Sequence, residues 1–272
     1  MRQQMEEEQW DLCRLLDAAL HGRPAEMLPP AEKYGAILEL ADRHRVLPLL
    51  YDVLAPKLPE EDENRKRLEK RSAETVRQSY RLLFLGKYVT GLLREHGIET
   101  VLLKGSGTAG LYPVPELRKS GDIDLLVAPE YSDKVKSVLL ENGFVQGRLS
   151  GDKIVPYSRR ELIYQKSFSH QLAQFIKATD SNICPFVCVD VNLDIVWGEG
   201  DFSIDMSDFA GNMLHTEDCL INGIALRRLK PVYEFISLCM HHYKDMNSIY
   251  LIADRGFSLS EYCDIYFYLA NV

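Results

Sequence analysis

No apolar run in the 272-residue sequence approaches the roughly 20 residues that cross a bilayer, so a membrane-spanning helix is not expected. The first residues, MRQQMEEEQW, have no apolar stretch of the kind a signal peptide needs, and a cytoplasmic protein is expected. No Cys-x-x-Cys pair occurs. Cys184 and Cys188 stand four apart without a partner pair, which argues against zinc, and Cys13, Cys219, Cys239 and Cys263 are scattered. All six read as reduced, mostly buried thiols. A basic excess is missing as well: 32 Lys+Arg stand against 40 Asp+Glu, a net charge of −8. That balance argues against duplex nucleic acid as a partner, because displacing counterions from phosphate needs a positive footprint. The basic stretch 63–71, ENRKRLEKR, includes Glu63 and Glu69 and reads as a solvated helix face.

What is present is an ordinary globular composition, 46% hydrophobic and 26% charged, in a chain long enough for one elaborated domain or two small ones. Residues 1–97 read as a helical region. Gln3 to Leu20 has apolar spacing near 3.6, with Trp10, Cys13, Leu16 and Leu20 on one face and Gly22 as a stop. Pro29-Pro30 precedes a helix over Ala31 to Arg43, and a short helix follows Pro48. Glu61 to His96 is one long helix or two, ended by Gly97.

The character changes at Ile98, where a core over 98–200 is expected. Short β-type runs lie at Glu99 to Leu103 and Asp122 to Val127, a helix over Pro129 to Asn142, and a further strand begins at Phe144. Two strand-like segments, Lys166 to Lys177 and Phe186 to Trp197, flank a hairpin loop over 178–185. The 201–272 region reads as mainly helical, with a hairpin turn at Asn222-Gly223 and helices over Pro231 to Tyr243 and Leu259 to Leu269.

Chemistry concentrates in 101–127, VLLKGSGTAGLYPVPELRKSGDIDLLV. Residues two apart on a strand share a face, so Asp122 and Asp124 would sit side by side while Ile123 and Leu125 face the core. Adjacent carboxylates repel, and a divalent cation with oxygen preference, Mg²⁺ or Mn²⁺, resolves the repulsion. Alone, an Asp-x-Asp is equally the solvated end of a strand. Before it stands Lys104-Gly105-Ser106-Gly107, after an apolar strand and ahead of an expected helix. Glycine there lets backbone N–H groups approach phosphate, and Ser106 could add its hydroxyl or cap the helix. The Gly-Lys-Ser/Thr ending of a P-loop is missing, and the segment is not taken for a dinucleotide fingerprint.

Together these pieces resemble the nucleotidyltransferase superfamily that includes DNA polymerase β: an apolar residue (Leu103), Gly105-Ser106, a spacer, then Asp122-Ile123-Asp124 flanked by apolar residues. More narrowly, Lys104-Gly105, Leu111-Tyr112-Pro113, Arg118 and Gly121-Asp122-Ile123-Asp124-Leu125-Leu126-Val127 are similar to the bacterial family described as uncharacterised nucleotidyltransferase. The resemblance implies an α+β fold, a polymerase β-like core (small mixed sheet with helices) flanked by N-terminal and C-terminal helical segments. It also implies a third carboxylate on a later strand. VCVDVNLDIVW, 187–197, offers Asp190 for it, with Asp194 the lesser candidate. The narrow family has His where Asn192 stands here, and His170 matches an earlier family His.

The implied reaction moves an NMP from an NTP, with ATP the expected donor, to a hydroxyl of a small-molecule, peptide or protein acceptor. Asp122, Asp124 and Asp190 would be catalytic and metal-holding. Lys104, Gly105, Ser106 and Arg118 would bind the nucleotide, with His170 and Asn192 as further site positions. For His241-His242, on the helix after Pro231, core or surface positions fit better than a place lining the cleft. Three rivals stand beside this reading. An Asp-x-Asp glycosyltransferase would use the same acids with a nucleotide sugar. A catalytically degenerate nucleotide-binding or partner protein would fit the change at Asn192. A toxin-type tRNA nucleotidyltransferase would keep the chemistry and change the acceptor.

Overall fold

The computed structural model describes residues 2–169, 171–195, 215–247 and 258–271. Among them are eight α-helices and one eight-stranded mixed sheet. Helices α1 (Arg2–Leu20), α2 (Tyr34–Arg43), α3 (Tyr51–Leu54) and α4 (Glu63–Glu95) come first. The period of α1 is as expected, but its phase is different. Leu12, Leu15, Leu16 and Ala18 are buried, while Trp10 and Cys13 face solvent. The leucines form the wider apolar stripe, and a lone Trp does not outweigh them.

The stretch around 61–96 is one helix. The Asp62 carboxylate accepts from the Asn64 amide at its start, and at its end the amides of Gly97 and Ile98 donate to Arg94 and Leu93.

Strands β1 (Thr100–Leu102) and β2 (Ile123–Val127) follow, then α5 (Ser132–Glu141), β3 (Val145–Ser150) and β4 (Lys153–Pro156). The expected strand beginning at Lys166 is corrected. Residues Arg159–Phe168 form helix α6, and the strand is only β5 (Phe175–Ala178). The overlooked signal is a capping box. Ser158 accepts from the Glu161 amide, and the Glu161 carboxylate accepts from the Ser158 amide. Strand β6 (Phe186–Asn192) pairs antiparallel with β5, as the hairpin loop implied, and Trp197 lies outside the described residues.

The hairpin expected around Asn222-Gly223 is present, and its strands run beyond Cys219 and Leu226. Thr216–Ile221 (β7) and Ile224–Leu229 (β8) are strands, joined by Asn222-Gly223 with φ of 50° and 74°. Two central residues at positive φ make the twist that a two-residue hairpin requires, and Asn-Gly tolerates it best. Helices α7 (Pro231–Asn247) and α8 (Leu259–Asn271) are the last two elements among the described residues.

The strand order is β4-β3-β5-β6-β2-β1-β8-β7. β1 runs antiparallel to β2, whereas β2/β6 and β1/β8 are parallel. One sheet face carries Ile123, Leu125, Val127, Val187, Val189 and Val191 into a core shared with α4 and α5. A second core joins α1, α2 and α3 to Leu238, Cys263, Phe267 and Tyr268 of the last two helices. The other face of the central strands, where Asp124 and Asp190 project, looks toward α7. No described helix is long and apolar enough to cross a membrane. All six cysteines are free, with Cys184 and Cys263 buried and Cys13 exposed.

Candidate active site

Alternation along two parallel strands builds the site. Along β6 the valines at 187, 189 and 191 are buried, so Cys188, Asp190 and Asn192 take the opposite face. In the β2/β6 register Asp124 is the direct partner of Asp190. Asp122, immediately before β2, lines the same cleft, whose cavity volume is about 230 Å³. The structure therefore brings together the three acids that the sequence nominated separately.

Burial of these carboxylates is costly unless positive charge meets them. Asp124 is 4% exposed, and burial, with Asp122 and Asp190 nearby, pushes its pKa up to about 7. Burial and Asp122 also raise Asp190, whose Oδ1 accepts from Gln174 Nε2 at 3.0 Å. Lys104 answers part of this demand. Its Nζ lies 3.3 Å from Asp124 Oδ1 and 3.3 Å from His241 Nε2. Burial opposes its charge, but Asp124, Asp122, Asp190 and Asp245 together outweigh burial and hold it protonated. Six carboxylates line the cleft (Asp122, Asp124, Asp190, Asp194, Asp245 and Glu261) against four cations, Arg45, Lys104, Arg118 and Lys244. Each buried, unpaired ion costs several kcal/mol, so this donor set fits a divalent cation.

The segment 104–111 departs from expectation. It is a series of tight turns ending in one 3₁₀ turn, Ala109–Leu111, and no α-helix opens behind it. Residues 105–110 do spell Gly-x-Gly-x-x-Gly, but a dinucleotide fingerprint needs a helix there within a parallel unit, and β1 is antiparallel to β2. The amides of Gly105 and Ser106 donate to no backbone carbonyl among the described residues. Gly105 sits at φ 54°, and a Cβ there would fall 2.7 Å from Ser120 Oγ. Ser106 differs from expectation: its hydroxyl is buried without a hydrogen-bond partner and does not line the cleft.

Arg118 reaches the cleft but is heavily engaged. Its Nε and Nη2 donate to Asp264 at 3.1 and 2.7 Å, and its Nη1 donates to the Lys119 carbonyl. Tyr112 donates to the same Asp264 carboxylate at 2.7 Å. Asn192 donates through Nδ2 to the Leu125 carbonyl at 3.2 Å, tying β6 to β2. His170 lies outside the described residues.

Arg45, Asp245 and Glu261 escaped the sequence reading, and His241 was ranked below a core or surface position. Arg45 stands at φ 59° just after α2, where glycine is usual, and its guanidinium pairs with no carboxylate among the described residues. His241 lines the cleft instead of belonging to core or surface, and burial, with Lys104 and Lys244, holds its imidazole neutral. Asp245 and Glu261 complete that wall. The i,i+4 spacing of His241 and Asp245 was a signal for a shared face; nothing in the sequence joined Glu261 to them.

A crystal structure of an antigenic nucleotidyltransferase-like protein from Paracoccidioides brasiliensis is similar over 70% of this chain and 76% of that one, at 13% identity and a TM-score of 0.42. No curated protein matches the sequence. The family model described as uncharacterised nucleotidyltransferase matches residues 30–272. With that match over most of its length, including every acid of the cleft, the chain belongs to this nucleotidyltransferase family.

Proposed function

We propose that the protein transfers an NMP from an NTP, with ATP the expected donor, to a hydroxyl of a small-molecule, peptide or protein acceptor, on a polymerase β-like core. One observation carries the reading: Asp124 and Asp190 are register partners on adjacent parallel strands, with Asp122 in the same cleft and Lys104 against Asp124. Asp122, Asp124 and Asp190 would hold Mg²⁺ or Mn²⁺, which supplies charge neutralisation at the triphosphate and favours in-line displacement when bound.

The chain's own groups have separate parts. Asp190, oriented by Gln174, takes the acceptor's hydroxyl proton, and burial beside Asp122 raises its basicity. The acceptor oxygen bonds to the α-phosphorus as the bond to pyrophosphate breaks, and pyrophosphate leaves with that electron pair. Lys104 and the amides of Gly105 and Ser106 meet the triphosphate; the buried Ser106 hydroxyl has no part in that contact. Arg118 shapes the mouth through Asp264, and the uncommitted Arg45 supplies the guanidinium clamp.

Thermal unfolding with Mg²⁺ and each NTP tests the reading, on the wild type and on Asp122→Asn/Asp124→Asn. Ligand at ~100 times its Kd stabilises by roughly 2.7 kcal/mol, a shift of about 5–10 °C at this size. A metal-dependent shift lost in the double variant is expected. No shift with any NTP in a folded protein would overturn the proposal, and a shift with UDP-sugars alone would assign the acids to glycosyl transfer.

A further inference from the structure

The cleft has a second wall. Helix α7 presents His241 and Asp245 one turn apart on one face, and Glu261 joins them from the first turn of α8. One ligand atom from each of the three lies within 4.8 Å of the others. His241 Nε2 is 3.4 Å from Asp245 Oδ2. Glu261 is held in place from behind, its Oε2 at 2.7 Å from His242 Nδ1, as groups surrounding metal ligands commonly hold them. All three side chains are half-buried, so their charges are less screened than on an open surface.

We propose that His241, Asp245 and Glu261 form a second cation site, selective for a borderline ion such as Zn²⁺, on the helical wall facing the sheet carboxylates. The donor set sets the preference. One imidazole with two carboxylates is a mixed nitrogen and oxygen set, which suits such ions, whereas Mg²⁺ prefers oxygen alone. Three protein ligands also leave positions open for water or a substrate oxygen. The cleft's excess of carboxylates over cations gives the ion an electrostatic reason to bind. The Lys104 ammonium contacts both Asp124 and His241 Nε2, so a cation bound at that nitrogen displaces it toward the sheet carboxylates. The site would also join α7 to α8 at the mouth of the cleft, so that cation occupancy and the shape of that mouth are coupled.

Zn²⁺ titration by calorimetry of the full chain tests it, on wild type, His241→Ala, Glu261→Gln and Asp122→Asn/Asp124→Asn. The expected result is one equivalent bound by the wild type, at least tenfold weaker in each of the first two variants and retained in the double variant. Retention there keeps this site distinguishable from the Mg²⁺-NTP centre. Binding that disappears in the double variant but survives Glu261→Gln would overturn the proposal. So would binding indifferent to both wall variants, as at a thiol, or no stoichiometric binding at all. Asp245→Asn repeats the test should either wall variant fail to fold.

Discussion

At the scale of single residues, two positions carry backbone conformations that their surroundings must hold. Gly105 takes its positive φ without penalty and keeps the turn open where a side chain would strike Ser120. Arg45 is the more informative because it is not glycine. A non-glycine residue in the left-handed region costs roughly 1–2 kcal/mol, and here that residue lines the cleft. Strain kept at a cleft is a mark of use. Arg45→Gly is therefore expected to raise Tm by a few degrees, the rough equivalent of ~1 kcal/mol, while reducing the Mg²⁺-NTP shift. Melting curves with and without nucleotide check both signs. A variant that loses stability, or keeps the full nucleotide shift, would remove Arg45 from the clamp.

At the scale of elements, the joint between the turn segment before β2 and helix α8 rests on one buried cluster. Arg118 is 8% exposed, and the Asp264 side chain 2% exposed, with Tyr112 donating to the same carboxylate. Burial opposes the guanidinium's charge, and Asp264 more than compensates, so Arg118 stays ionised throughout the accessible pH range. Removing one partner leaves a buried charge, at a cost of about 3–5 kcal/mol. Asp264→Asn should thus lower Tm by on the order of 10 °C. A double replacement of Arg118 and Asp264 by apolar residues should recover part of that loss, because no charge is then stranded. Equal melting of Asp264→Asn and wild type would show that the cluster is solvated and dispensable.

Over the whole molecule, several buried carboxylates give stability a common pH dependence. Burial is the first cause for Glu234, Asp124 and Glu261 alike, and each is pushed up to about 7. The folded chain therefore keeps protons that the unfolded chain releases near pH 4–4.5. Stability is fully present below that range and falls as pH rises toward and through 7. Glu234 isolates the effect because it lies outside the cleft lining, 3.8 Å from Arg228, whose other partner Glu217 is closer at 2.9 Å. Its part is roughly 3 kcal/mol at pH 8. In metal-free buffer the wild-type Tm should drop between pH 5 and 8, and Glu234→Gln should lessen the drop by about 5–10 °C. Parallel curves for the two proteins would show that Glu234 is hydrated and does not contribute.

The sequence by itself determined the local pieces. Apolar periodicity made α4, α7 and α8 legible, Asn222-Gly223 marked its hairpin, and the alternation around Asp122, Asp124 and Asp190 assigned each acid to a strand face before any pairing was known. Those signals are local, since hydrogen bonding, capping and side-chain direction depend on neighbours a few residues away. Helix α6 is signalled by the Ser158–Glu161 cap more than by apolar period, and strands β7 and β8 carry the Asn222-Gly223 hairpin beyond Cys219 and Leu226. The tertiary structure alone decided what meets across the cleft. Parallel pairing of β2 with β6 set Asp124 against Asp190, some 66 residues apart in sequence. Packing of α8 on the turn segment turned Arg118 toward Asp264, and the closure of α7 over the sheet brought His241 to Lys104. No spacing in one dimension encodes such contacts, because their partners are chosen by which buried faces and buried charges can be satisfied together.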